Sequence, residues 1–306
     1  MLEKIVIVTR KTRLEGLVER FNSRAQAKFY LEHSGGDFAD YECEDATYRR
    51  AVETVRRTLD VGLKVQAVDR SLVPTMLFTE NDLIVTVGQD GLVANTAKYV
   101  GGQPIVAVNP DPERFDGILL RFSPPEARQA LLSVLEGRAR VRDVTLAEAA
   151  LDDGQRLLAF NDLFIGARTH VSARYRISFE GRSEPHSSSG VLVSTGAGST
   201  GWLSSVFAMA GAVAQFGGGR AGQALRLPWE DPRLVFVVRE PYLSRHSRAG
   251  LVAGMIEPKG ELVLESQMPS GGVIFSDGVE ADALDFNSGA RARIRAAAQK
   301  THLVSR

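Results

Sequence analysis

The sequence predicts an α/β amino-terminal domain with a parallel sheet, followed by a β-rich, mostly antiparallel carboxyl-terminal domain. In the first part of the chain, short apolar runs alternate with helical patterns, which is typical of βαβ units. Past about residue 140 the pattern changes to strand-like runs separated by turn residues. We therefore predict domains at residues 1–140 and 141–306, and the C-terminal tail could pack back on the first domain.

Hydrophobic periodicity gives the elements of the first domain. Strands are predicted from short continuous apolar runs at residues 4–9, 64–68, 83–87 and 105–108. Helices are predicted from an apolar face or from helix-start residues at residues 15–32, 46–59, 92–100 and 124–135.

The second domain reads mainly as strands. Strand-like runs occur at residues 157–160, 174–179, 191–194, 234–238 and 261–265. One apolar helix is predicted over residues 201–216, where Gly217-Gly218-Gly219 ends it.

Composition limits the classes of function. The chain has 306 residues with 37 basic and 37 acidic side chains, so its balance of charge points to neither nucleic acid nor an anionic membrane. Cys43 is the only cysteine, which excludes an intramolecular disulfide and fits a reducing compartment. No apolar stretch approaches the roughly 20 residues of a spanning helix. We expect a cytoplasmic protein without membrane association.

The first candidate site is Gly88-Gln89-Asp90-Gly91, directly after the apolar run at residues 83–87. Ligands of open α/β sheets bind at the carboxyl ends of strands, and glycines there let the backbone approach a phosphate. Asp90 could accept a proton from a substrate hydroxyl or orient it. An ordinary tight turn, in which Asp is favoured, explains the same residues.

A second candidate is the segment of residues 187–205, SSSGVLVSTGAGSTGWLSS, which reads as a strand, a hydroxyl-rich turn and a helix. Its glycines and small hydroxyls suit phosphate or ribose. Gly196, Gly198 and Gly201 also match the dinucleotide-binding pattern G-x-G-x-x-G. That pattern requires an acidic residue about 20 positions later. Residues 220–225, RAGQAL, contain none, so a Rossmann dehydrogenase is rejected.

Asn161-Asp162, after the run at residues 157–160, is a third candidate. A carboxamide beside a carboxylate can both donate and accept hydrogen bonds, as a ribose diol requires. A solvated turn at a strand end is the alternative.

Other conspicuous residues are not assigned to a site. Asp277-Gly278 lies between apolar runs and is interpreted as a hairpin turn. The segment REPYLSRHSR, residues 239–248, could reach a phosphate or form a solvated loop. The histidines show no metal-ligand spacing, and no metal site is expected.

Taken in order, these motifs resemble the NAD kinase family. That family has Gly-Gly-Asp-Gly-Thr after a buried strand, then an Asn-Glu pair, then Asp-Gly before a strand that leads into a Gly-Ser-Thr-Ala-Tyr turn. This chain has Gly88-Gln89-Asp90-Gly91-Leu92, Asn161-Asp162, and then residues 189–202, SGVLVSTGAGSTGW. The resemblance covers most of the chain, and its N-terminal IVTRKTRLEG resembles the divergent branch related to the mitochondrial enzymes.

The resemblance implies a role for each matching residue. Asp90 would be the catalytic carboxylate that faces the adenosine ribose 2′-hydroxyl of NAD, and NADP would be the product. The residues implied to bind the dinucleotide or its ribose are Gly88, Gly91, Asn161, Asp162, Ser189, Thr200, Gly201, Trp202 and Ser205. ATP with Mg²⁺, or polyphosphate, would be the phosphoryl donor. NAD(H) and nucleotides would be the ligands, and a homodimer or homotetramer would be the assembly.

Several positions depart from the family pattern. Gln89 and Leu92 replace a glycine and a threonine of the first motif, which bears on the donor, and Asp162 is shorter than the usual glutamate. Ser189 stands where the family has aspartate, which bears on the acceptor. Two alternatives therefore remain open: a kinase of the same fold that acts on a sugar or lipid hydroxyl, and a nucleotide-binding protein that has lost donor binding.

Overall fold

The computed structural model describes residues 2–220, 222 and 225–306. They form two compact units. The first comprises the chain up to Arg142 together with His302–Arg306, and the second comprises Asp143–Thr301. None of the helices in these described residues is long and apolar enough to cross a membrane.

The first unit contains a parallel sheet with helices. Its strands are β1 (Lys4–Thr9), β2 (Lys64–Asp69), β3 (Asp82–Val87) and β4 (Pro104–Val108). Its helices are α1 (Arg13–Phe21), α2 (Arg24–His33), α3 (Phe38–Thr58), α4 (Asp90–Ala97) and α5 (Ala127–Leu135). The strand order is β2-β1-β3-β4, and every pair is parallel. The side chains of β3 are all buried, which explains its continuous apolar sequence.

Two helices of the first unit differ from their predictions. The helix predicted over residues 15–32 is two helices, because Asn22 adopts a left-handed φ of 60° and Ser23 caps α2 through the N–H of Gln26. The helix predicted from residue 46 begins eight residues earlier, at Phe38, where the Asp37 side chain accepts the N–H of Ala39.

The second unit is mostly antiparallel, as predicted. Its elements are β5 (Arg140–Leu151, beginning in the first unit), β6 (Arg156–Ala159), β7 (Asp162–Ala167), β8 (Ala173–Phe179), β9 (Arg182–Ser188), β10 (Val191–Ser194), α6 (Trp202–Phe216), β11 (Leu234–Val238), β12 (Ala253–Ile256), β13 (Leu262–Ser266), β14 (Gly272–Ser276), β15 (Val279–Asp285) and β16 (Arg291–Ser305). One sheet has the order β12-β11-β10-β7-β14-β15, with antiparallel pairs throughout. In the other, β16, β13, β8 and β9 pair in that order.

Strand β7 shows how the second unit is layered. Leu163 and Ile165 belong to the large buried core of the unit, whereas Phe164 between them points to the opposite face of the sheet. On β10, Leu192 packs with residues of α6, so the helix covers this outer face. The fold thereby places the start of α6 beside the middle of β7 and β10.

The argument against a dehydrogenase used the segment 220–225, and half of that segment lies outside the described residues. Of the segment 220–225, Ala221, Gln223 and Ala224 lie outside the described residues.

Candidate active site

The first group of site residues lies at the point where the order of the strands in the parallel sheet reverses. The chain passes from β1 to β2 on one side and then to β3 on the other side of β1. Ligands of open α/β sheets bind at this switch point, outside the carboxyl ends of the strands. Strand β3 ends at Val87, so Gly88, Asp90 and Gly91 follow directly at that edge.

Asp90 is the first residue of α4, and its half-buried carboxylate is hydrogen-bonded on both oxygens. Oδ2 accepts the N–H of Ile118 at 3.2 Å, and Oδ1 accepts the N–H of Leu119 at 2.8 Å. Gly91 is exposed, and a Cβ added there would meet nothing within 4 Å. Open space therefore lies beside a fixed carboxylate.

Leu92 fills the space above Gly88. Its side chain is buried, and a Cβ on Gly88 would lie 2.6 Å from the Leu92 Cδ2 atom. The side chain at this position thus packs inside the protein. Gln89, the other departure in this motif, is exposed and makes no side-chain cap to α4. Of the two, only Gln89 presents its side chain to solvent.

Tyr48 of α3 connects the ends of β1 and β3. Its hydroxyl accepts the N–H of Arg10 at 2.8 Å and donates to the carbonyl of Val87 at 2.9 Å. The Arg10 guanidinium lies 4.9 Å from the centre of the Tyr48 ring. Burial raises the pKa of Tyr48 to about 12, so the hydroxyl stays protonated and able to donate. This buried bridge fixes the residue from which the Gly88–Gly91 turn begins.

In the second unit, Asp277 organises the turn that carries Asn161 and Asp162. Asp277 and Gly278 have φ values of 52° and 71° and connect β14 to β15, which confirms the hairpin turn. The Asp277 carboxylate accepts the N–H groups of Phe160 at 2.9 Å, Asn161 at 2.6 Å and Asp162 at 3.3 Å. The sequence signals the turn, but nothing local signals this contact with a segment over a hundred residues away.

Asp162 is a half-buried carboxyl group with an unusual protonation behaviour. Burial raises its pKa to about 7, the charge of Asp277 adds to the shift, and the Ser194 hydroxyl opposes it. The Oδ1 atom is buried and has no hydrogen-bond partner among the described residues. Near neutral pH the group is therefore divided between its acid and its carboxylate, and it can donate or accept a hydrogen bond.

Two glycines after β10 are required by backbone packing. A Cβ on Gly196 would lie 1.8 Å from the carbonyl oxygen of Pro228, and one on Gly198 would lie 2.3 Å from that of Asn161. Both approaches are too close for any side chain. These glycines therefore hold the turn against its own unit, whereas the sequence pattern attributed them to ligand binding.

The hydroxyl groups in the first part of this turn also bind backbone. Thr195 Oγ1 donates to the Phe160 carbonyl at 2.6 Å. Ser199 Oγ donates to the Gly196 carbonyl at 2.7 Å and accepts the Leu227 N–H at 3.2 Å. In contrast, Thr200, Gly201 and Ser205 are exposed at the start of α6.

Trp202 lies at the start of α6 within an aromatic group. Its ring stacks on Phe164 at 5.8 Å with an interplanar angle of 12°, and the Arg239 guanidinium lies 5.3 Å from its centre. The backbone of Arg239 accepts the Ser189 N–H at 2.9 Å and donates to the Gly190 carbonyl at 2.8 Å. Ser189 and Trp202 are thus brought together through Arg239. From the sequence, the segment that contains Arg239 was interpreted either as a phosphate contact or as a solvated loop.

The predicted site residues therefore form three local groups. Gly88, Asp90 and Gly91 lie together in the first unit. Asn161 and Asp162 lie against the turn after β10 in the second unit, and Ser189 lies near Trp202. Phe164 and Asp277 belong with these groups and were missed as site residues, because their contacts come from distant strands.

Comparisons with known proteins bear on the fold and the family. No family model matches the chain. It is 26% identical to "NAD kinase 2, mitochondrial" of Rattus norvegicus, over 79% of this chain and 74% of the relative. The structure matches the yeast NADH kinase complexed with NADH at a TM-score of 0.59 and 16% identity, covering 100% of this chain and 84% of that chain. It matches the NAD kinase from Archaeoglobus fulgidus in complex with ATP at 0.55 and 17% identity, covering 98% and 92%.

The structural matches show the fold of this chain, an α/β region followed by a mostly antiparallel region, as in NAD kinases. The relatives are NAD kinases, which are phosphotransferases that act on a hydroxyl group. The resemblance to the NAD kinase family that the sequence motifs indicate is thereby confirmed.

Proposed function

We propose that this chain transfers a phosphoryl group from ATP, or from polyphosphate, to the adenosine ribose 2′-hydroxyl of NAD, and that NADP is the product. An NAD or NADH kinase activity in general is supported by the relatives. The observation that carries the proposal is Asp90: a fixed carboxylate at the switch point of a parallel sheet, with open space at Gly91 beside it.

Asp90 would receive the proton of the attacking hydroxyl. An alcohol does not ionise at neutral pH, so its proton must leave during the transfer, and a positioned base contributes on the order of 10²–10⁴-fold. A carboxylate has about four acceptor positions, and the two backbone N–H groups occupy two of them. The rest are available for the ribose hydroxyl.

The acceptor would be bound by the second unit. We propose that Asn161 and Asp162 bind the ribose, and that Ser189, Thr200, Gly201, Trp202 and Ser205 line the dinucleotide site. The half-protonated Asp162 can donate to one hydroxyl oxygen or accept from another, which suits a diol. The exposed backbone and hydroxyls at the start of α6 supply further polar contacts.

The donor would bring its own metal ion. In the part of the chain that the structure describes, no three His, Cys, Asp or Glu side chains converge as metal ligands. Mg²⁺ is commonly held by substrate phosphates with only one or two protein carboxylates. A magnesium complex of ATP as substrate therefore fits these residues, and the ion would neutralise phosphate charge during the transfer.

The test is product formation from NAD with Mg²⁺ and either ATP or polyphosphate, with the wild type and the Asp90→Asn variant compared. We expect NADP from the wild type and a loss of at least 10²-fold in the variant. Binding of NAD without NADP from either donor would reject a kinase that acts on NAD, and if NADH also gives no product it would support the binding protein that has lost its donor. Running the same assay with NADH as acceptor decides between the two forms of the dinucleotide.

Two further expectations belong to this proposal. The chain is proposed to form a homodimer or homotetramer, which light scattering in solution measures directly. The cytoplasmic location stays a prediction, and the rat relative is mitochondrial by name.

A further inference from the structure

The carboxylate of Asp90 is held by one loop, which we call the β4 loop (residues 109–120). Its two successive N–H groups, those of Ile118 and Leu119, each bind a different oxygen of Asp90. Contacts to both oxygens fix the rotation of the carboxylate as well as its position. The orientation of the proposed catalytic group therefore depends on the conformation of the β4 loop.

The β4 loop is braced from within by its first residue. Asn109 is buried directly after β4; its Nδ2 donates to the Phe115 carbonyl at 2.9 Å, and its Oδ1 accepts the Asp111 N–H at 3.1 Å. Gly117 has a φ of 62°, and a Cβ there would lie 2.8 Å from Asn109 Nδ2 and 2.9 Å from the Leu120 Cβ. Only glycine fits, and this turn directs the next two N–H groups at Asp90.

Outside this brace, one ion pair attaches the β4 loop to helix α3. Arg114 lies 2.7 Å from a carboxylate oxygen of Asp40, in the first turn of α3, and 3.5 Å from Asp111. Asp40 also binds Arg13 at 2.8 Å. Hydrogen bonds from Arg114, and next from Arg13, lower the pKa of Asp40 to about 2. The pair is therefore ionised at every pH at which the enzyme would work.

We propose that Arg114 and Asp40 are a positioning pair for the phosphoryl transfer, and that they act on the reacting carboxylate only through the β4 loop. This inference rests on the proposed function, because it assumes that Asp90 takes the proton. Neither residue would touch a substrate. Releasing Arg114 would let the Ile118 and Leu119 N–H groups move, and Asp90 would lose its fixed orientation.

Such a role has a specific kinetic signature. A reacting group displaced by about 1 Å can lose on the order of 10²-fold in rate, whereas substrate binding at other residues is unaffected. We therefore expect lower kcat with unchanged KM. A residue that serves only the fold would instead lower the melting temperature and alter kcat and KM together.

The experiment compares six variants of the whole chain, one of which is the Asp90→Asn variant already described. Arg114→Gln and Asp40→Asn each remove one partner, and the double variant removes both. Arg114→Lys keeps the charge. The matched control is Arg24→Gln, because Arg24 pairs with Glu42, two residues after Asp40 on the same helix and also at the surface.

We expect Arg114→Gln and Asp40→Asn each to lower kcat about 10- to 100-fold with KM and melting temperature unchanged. The double variant should lose no more than either single variant, Arg114→Lys should recover most of the rate, and Arg24→Gln should match the wild type. Wild-type kcat in Arg114→Gln, with Asp90→Asn inactive, would overturn the positioning pair and leave the proposed function intact. Full activity in Asp90→Asn would overturn both.

Discussion

The Asp277 carboxylate offers the sharpest test of how the second unit is held together. It accepts three backbone N–H groups, two of them at 2.9 Å or less, from the turn that carries Asn161 and Asp162. In the Asp277→Ala variant these donors lose their partner. A hydrogen bond to a charged group contributes about 1.5–3 kcal/mol, so the two short ones together give about 3 kcal/mol at the lower bound. We expect the free energy of unfolding to fall by that amount.

Tryptophan fluorescence measures the change in the free energy of unfolding of the second unit. The chain has two tryptophans, Trp202 and Trp229, and both lie in the second unit. Urea unfolding followed at the tryptophan emission therefore reports on that unit. A loss of about 3 kcal/mol corresponds to a fall of roughly 6–12 °C in its melting temperature.

Two controls separate the carboxylate from the turn. Asp277→Asn keeps a residue that tolerates the φ of 52° and one acceptor oxygen, so we expect a smaller loss of about 1–2 kcal/mol. Glu280→Gln, an exposed residue in the same hairpin, should leave the midpoint unchanged. If Asp277→Ala unfolds within about 0.5 kcal/mol of the wild type, these three contacts do not stabilise the turn and the reasoning is refuted.

Three other predictions follow from single contacts. Gly196→Ala should prevent the second unit from folding normally, because its Cβ would lie 1.8 Å from the Pro228 carbonyl oxygen. Gly91→Ala lies in a helix with open space and should gain about 0.5–1 kcal/mol in circular-dichroism melts. Equal stability of the two variants would contradict the packing argument. The folded pKa of Asp162 is about 7 and its ordinary value is 3.8, so between these pH values the folded state holds a proton that the unfolded state has lost. The wild type should therefore lose stability as pH rises from about 4 to 7. Asp162→Asn should remove that dependence on pH and gain on the order of 1–2 kcal/mol at pH 8. A slope that persists in the variant would assign it to another group. Tyr48→Phe should lower the free energy of unfolding by about 1–2 kcal/mol and lower kcat, because the Arg10 N–H and the Val87 carbonyl both lose a buried partner. Hydrogen exchange of the Arg10 amide measures the loss, and unchanged protection would contradict the bridge.

The sequence predicts the fold class because most strands are continuous apolar runs. Several strands of the second unit were not predicted, and β9 shows one physical reason: its inward residues are Glu184, His186 and Ser188, so no apolar alternation marks it. Glu184 is compensated by His186 at 2.8 Å and by the Gly250 N–H at 2.8 Å. Such buried polar pairing is decided by tertiary contacts, which local periodicity does not contain.

The site was predictable where the residues act locally. Asp90 follows a strand whose burial is evident, and the glycines beside it mark the turn. Its own partners, Ile118 and Leu119, are almost thirty residues away, and no motif in the sequence points to them. The same holds for Arg239, whose guanidinium meets Trp202 only because β11 pairs with β10.

The parallel sheet is extended beyond β4 by residues that lie nearly two hundred positions later in the chain. His302 and Leu303 pair in parallel with Pro104 and Ile105 of β4, and they belong to the same unit as the first strand of the chain. Contacts so distant in sequence form slowly, because loop closure must precede them. During synthesis the outer side of β4 therefore stays unpaired until nearly two hundred later residues have emerged. A nascent chain of this kind exposes an unpaired strand edge, and such an edge is a template for aggregation.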